Sequence, residues 1–177
     1  IFNKKVYIYQ LLFLIKNDII SIIMECVRHS VIIGGFYMAI KMRVLCYPEK
    51  KKLLAVGNMI KSEYDLNVNS VDRIPPAYSC DKERLVILAV NIKGNTLPDD
   101  YRLFVKELTK ARAQNVAILS AGSEEAVNQT KQLVKEAGAN VIENTMQIKI
   151  GLFDSKVSDT EKTDILNWVK STIEALA

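Results

Sequence analysis

Residues 85–90 read LVILAV, an unbroken apolar run with no polar side chain alternating through it. A run this short and this greasy is what a strand covered on both faces of a parallel sheet requires. The residues that follow support that reading. After the loop NIKGNTL (91–97), Pro98-Asp99-Asp100 opens a helix, where proline wastes no backbone donor and the acids suit the positive end of the dipole. Phe104, Val105 and Leu108 supply the inner face of that helix. NVAILS (115–120) is a second buried run. Ser123-Glu124-Glu125 then starts another helix, which Gly138 closes in a left-handed cap.

The same alternation extends in both directions. Downstream, 140–150 reads as a strand, and Ser158-Asp159-Thr160-Glu161 is a capping box ahead of a last helix with Ile165, Trp168, Val169, Ile173 and Leu176 inward. Upstream, Arg43-Val44-Leu45-Cys46-Tyr47 is a first strand, and 50–64 a helix with Leu53, Leu54, Val56, Met59 and Ile60 at a period near 3.6. Residues 67–74 form a second strand that Pro75-Pro76 ends, because proline cannot donate to a ladder. Strand–helix alternation of this kind predicts an α/β fold: a three-layer, doubly wound, five-stranded parallel sheet of order 2-1-3-4-5. The connection 75–84 is too short for a helix and its loops, so the helix between the second and third strands is expected to be reduced or absent.

Residues 1–37 have a different character. The apolar run 6–15 stops at Lys16-Asn17-Asp18, and the next is cut by Glu25, Arg28 and His29. Neither piece reaches the roughly 20 apolar residues of a spanning helix. Lys4-Lys5 precede an apolar stretch as in a secretory signal, but Lys16-Asn17-Asp18 stand where small residues and a cleavage site belong. Ile33-Gly34-Gly35-Phe36-Tyr37-Met38 back-translates as ATA GGA GGT TTT TAT ATG, which holds a bacterial ribosome-binding run, AGGAGG, ahead of an ATG. The expectation is therefore a translated leader over 1–37, a natural start at Met38 and one domain over 38–177.

Composition narrows the function classes. Apolar residues make up 49% and charged residues 25%, a globular balance rather than a disordered one. Without 1–37 the chain carries 20 basic and 18 acidic residues, so no nucleic-acid partner is expected, and no membrane partner for 38–177. The single histidine is His29, which leaves the domain without a histidine base or a Ser–His or Cys–His pair. No catalytic residue and no metal site is assigned. Cys26, Cys46 and Cys80 are odd in number and widely spaced, as expected in a reducing cytoplasm. Cys46 reads as an inert thiol in a central strand, and Cys80, in the short link, reads as exposed.

In a sheet of this kind ligands bind beyond the carboxyl ends of the strands, near the point where strand order reverses. That rim comprises YPEKKK (47–52), NIKGNTL (91–97) and SAGSEE (120–125). Over residues 42–176 the chain resembles the short-chain flavodoxins, in MRVLCY, in LVILAV followed by PDDYRLFVKEL and NVAILSAGS, and in AGANVIENTMQIKIGLFD before SDTEKTDILNWVK. The resemblance implies non-covalent FMN, electron transfer and a redox protein partner. It implies cofactor-binding positions at Tyr47, Pro48, Glu49, Lys50 and Lys51, at Asn91, Ile92, Lys93, Gly94, Asn95 and Thr96, and at Ala121, Gly122 and Ser123.

The chain departs from the flavodoxin pattern in its first loop. Flavodoxins wrap the phosphate with a loop rich in Ser, Thr and Gly. Here 47–52 has none of these, Pro48 removes a donor and Glu49 repels an anion. Lys50, Lys51 and Lys52 are read either as an anion-attracting group or as a solvated helix face. The third loop offers backbone N–H groups but no aromatic to stack on a flavin; Tyr47 and Tyr101 are the nearest, and Trp168 reads as core. Response-regulator receivers share the strand order, but they need acids after the first strand to hold magnesium and an aspartate ending the third to accept phosphate. Here Glu49 is the one acid left, and Val90-Asn91 stand at the acceptor position. Two functions follow: an FMN electron carrier with an atypical phosphate loop, and a cofactor-free domain of the same fold acting as a binding or scaffold module.

Overall fold

The computed structural model describes residues 40–64, 68–74, 80–151 and 156–176. The leader expected over 1–37 lies outside them, as do Asn67 and Pro75-Pro76. In chain order the elements are β1 (Met42–Tyr47), α1 (Lys51–Glu63), β2 (Val68–Arg73), β3 (Glu83–Val90), α2 (Asp99–Lys106), β4 (Ala113–Ser120), α3 (Glu124–Glu136), β5 (Asn140–Val141), β6 (Met146–Gln147) and α4 (Asp159–Glu174). The sheet runs β2-β1-β3-β4-β5 with β6 also paired to β4, and each pairing is parallel. The expected α/β architecture and strand order are those observed.

LVILAV is buried on both sides, as its composition demands. Val86, Leu88 and Val90 join a core beneath α2 and α3 with Tyr101, Val105 and Val134, while Leu85, Ile87 and Ala89 join a second core beneath α1 and α4 with Leu53, Ile60, Ile165 and Trp168. Burying each such aliphatic side chain contributes about 1.5–3 kcal/mol. The helix ends follow their local chemistry. Ser123 caps α3 by accepting from the Ala126 N–H, and Gly138 closes it at φ +88°. Ser158 and Glu161 complete the capping box of α4. Among the described residues no helix is long and apolar enough to cross a membrane.

The fifth strand position departs from the continuous strand expected over 140–150. It consists of two short pieces on the same edge of β4, Asn140 and Val141 opposite Asn115 and Val116, then Met146 and Gln147 opposite Leu119 and Ser120. Between them the Asn144 carbonyl turns to α4, where it accepts the Trp168 indole N–H at 2.9 Å. Glu143 points outward to Lys131 and Lys135. Glu and Asn are weak strand formers, so the ladder yields where a tertiary bond competes for it.

The described residues between β2 and β3 (Ile74 and 80–82) hold no helix. On that side the strands carry charge instead. The Arg43 guanidinium donates from Nε to Glu83 Oε1 at 3.1 Å and from Nη1 to Asp72 Oδ2 at 3.1 Å, and Lys41 Nζ stands 3.6 Å from the same Glu83 oxygen. Glu83 is fully buried. Charges buried this deeply persist because they are paired. Cys80 lies in the same core, which corrects the exposed position expected for it: at 3% exposure it is a buried thiol. Burial pushes its thiol up to about 11, with Arg43 pulling the other way.

Candidate functional site

The rim at the carboxyl ends of the strands is where three loops meet, and backbone hydrogen bonds tie their roots together. Asn91 N–H donates to the Tyr47 carbonyl at 2.8 Å, and Ala121 N–H donates to the Val90 carbonyl at 2.7 Å. The structure therefore brings the roots of the three predicted segments side by side. Their tips behave differently.

In the first loop the Tyr47–Pro48 peptide bond is cis. The Tyr47 ring packs on the Tyr101 ring with centroids 4.9 Å apart, and its hydroxyl donates to Asp100 Oδ1 at 2.8 Å. Burial first, and Asp100 second, push the Tyr47 phenol up to about 12. Glu49 is exposed and paired with Arg73 at 2.6 Å. Lys50 and Lys51 are exposed at the start of α1, a helix with no side-chain cap and no acid in its first turn. Lys52 is not part of a solvated face: it is buried, and its ammonium donates to the Lys149 carbonyl at 2.8 Å and to Glu161 Oε1 at 3.0 Å.

In the second loop Asn91 and Ile92 are buried, whereas Lys93, Gly94, Asn95 and Thr96 are exposed. The Asn91 side-chain oxygen is buried without a hydrogen-bond partner. The third loop is sealed against the second. Gly122 has no room for a side chain, because a Cβ there would lie 2.2 Å from the Ile92 carbonyl oxygen. Ser123 N–H donates to that same carbonyl at 2.8 Å, Ser123 Oγ donates to the Gly94 carbonyl at 2.8 Å, and Gln129 Nε2 donates to the Asn95 carbonyl at 2.7 Å. Gly122 N–H donates to Ser120 Oγ at 3.0 Å.

No protein-family model matches the chain, and no curated protein matches it by sequence. Solved structures do. An archaeal flavodoxin superposes with a TM-score of 0.57 at 10% identity, over 77% of this chain and 98% of its own. The fold is flavodoxin-like. A metal-soaked flavodiiron core from Synechocystis sp. superposes with a TM-score of 0.52 at 12% identity, over 78% of this chain and 36% of its own length.

The flavodoxin-like rim can be tested against the flavin that the resemblance implies. The N–H groups of Ala121, Gly122 and Ser123, expected as donors to a ligand, already donate to Val90, Ser120 and Ile92. Lys52 is committed to Glu161. Tyr101 is fully buried, with its hydroxyl 3.3 Å from Thr130 Oγ1, so it belongs to the core and not to a flavin stack. Tyr47 is engaged with Tyr101 and Asp100. Trp168 is core, as expected. The residues present do not fit FMN as a phosphate-wrapping, ring-stacking site. The residues that decide this, Ser120, Gln129, Asp100 and Glu161, were not singled out by sequence as partners of the rim. Ser120 had a signal, a hydroxyl closing a strand just before a glycine turn; the others act across distances in the chain that no local pattern encodes.

Proposed function

We propose that this chain is a flavodoxin-fold domain working as a cofactor-free binding or scaffold module. The observation that carries this reading is the occupied donor set of the third loop, whose three backbone N–H groups are spent on Val90, Ser120 and Ile92. The first loop, without hydroxyls or glycine and with Glu49 paired to Arg73, supports it from the other side of the rim. The unpaired, buried Cys46 and Cys80 suit a cytoplasmic domain. Nucleic acid and membrane are not among the partners proposed.

A second reading, an FMN carrier passing electrons to a redox protein partner, is favoured by two features of the rim: the unpartnered buried Asn91 oxygen and the uncapped start of α1. Visible absorbance of the purified chain, before and after adding FMN, separates the two. A colourless protein that leaves FMN fluorescence unquenched at micromolar concentration is the expected result. A yellow protein that quenches it overturns the proposal in favour of the carrier.

A further inference from the structure

Lys52 and Glu161 belong to different helices, and the bond between them has an unusual division of labour. Glu161 Oε1 accepts from the Lys52 ammonium of α1 at 3.0 Å. Its other oxygen, Oε2, accepts from both the backbone N–H and the hydroxyl of Ser158 at 3.2 Å, within the capping box of α4. One carboxylate thus fastens α4 to α1 and closes the first turn of α4. The Lys52 side chain is 3% exposed and the Glu161 side chain 25%, so the ammonium depends on a nearby anion while the carboxylate remains within reach of solvent protons.

We propose that Glu161 is an acid-operated clasp: its protonation breaks the ionic tie between α1 and α4 and weakens the carboxylate half of the α4 capping box together, loosening this side of the sheet before the rest unfolds. The charged group facing Glu161 across the seam is Lys52; the connection into α4 contributes Ser158 and, on Lys52, the Lys149 carbonyl; Asp159 is the neighbouring acid on α4 itself. Burial works to raise the Glu161 carboxyl, but the bonds from Lys52 and Ser158 outweigh it and hold the group below the usual carboxylate range. The sign follows. A depressed carboxyl keeps the clasp closed at neutral pH, and closure is lost as pH falls through the folded-state value.

Hydrogen exchange of the whole chain at about pH 7 and about pH 3, corrected for intrinsic rates, tests this, with α3 as the internal reference because it shares a serine cap and two acids in its first turn with α4 but has no capping box. The first turn of α4 is expected to lose roughly tenfold more protection than the first turn of α3. In Glu161→Gln, which retains an amide able to cap, that differential step should vanish; Lys52→Met should remove it too if the glutamine variant folds poorly. Equal loss in the two helices, a step that survives both substitutions, or global collapse at about pH 3 overturns the clasp.

Discussion

Around Ser123 the fastenings between the second and third loops are neutral: a glycine pressed on the Ile92 backbone, a serine hydroxyl on the Gly94 carbonyl and a glutamine amide on the Asn95 carbonyl. Around β1 and α1 they are ionic: Arg43 between Glu83 and Asp72, Lys52 on Glu161, and Glu49 on Arg73. The loop contacts around Ser123 and the contacts around β1 and α1 are therefore fastened by opposite means. Neutral bonds and close contacts are indifferent to salt and pH. Buried ion pairs hold only while both partners keep their charge, and exposed ones weaken as salt screens them.

The largest test of this contrast is Arg43→Ala, which takes the 3.1 Å guanidinium partner away from the fully buried Glu83 carboxylate. A loss of about 3–5 kcal/mol in urea unfolding is expected. Replacing Arg43, Asp72 and Glu83 together with apolar residues of similar size should restore most of that stability, because the buried carboxylate is removed and Lys41, the charge left facing it, is 42% exposed. On the neutral side, Gly122→Ala drives a methyl into the Ile92 backbone and is expected to cost about 3 kcal/mol, equally at low and high salt. Ser123→Ala should cost about 1 kcal/mol by removing the α3 cap and the bond to Gly94, again without salt dependence. Glu49→Ala, at an exposed pair, should fall within about 0.5 kcal/mol of the parent and become undetectable at high salt. A salt-sensitive Gly122→Ala, or an Arg43→Ala milder than Ser123→Ala, would erase the distinction between the two regions.

The two regions also differ in how much their residues disclosed. LVILAV, NVAILS, the Ser123 cap, Gly138 and the α4 capping box announce themselves, because each rests on neighbours in the chain. The continuous fifth strand expected over 140–150 was interrupted by a bond from Trp168, 24 residues on. Lys52 reads as a solvated lysine until Glu161, 109 residues away, is placed beside it. Cys80 reads as exposed for the same reason, since its cover and its neighbour Arg43 come from other strands. At the rim, the loops are legible as positions, whereas the occupancy of their donors is not. Gly122 is recognisable as a turn residue, but the close approach of the Ile92 backbone is a tertiary fact.

The divided strand on the far edge of the sheet bears on how this protein behaves in company. A long, straight edge offers a row of unpaired amides on which another chain can lay a strand. Here that edge is reduced to Asn140–Val141 and Met146–Gln147, with the Asn144 carbonyl turned inward to Trp168 and the Glu143 carboxylate held by two lysines on the outside. A second molecule approaching it would meet two short pieces and an ion-paired turn rather than one continuous row of free amides.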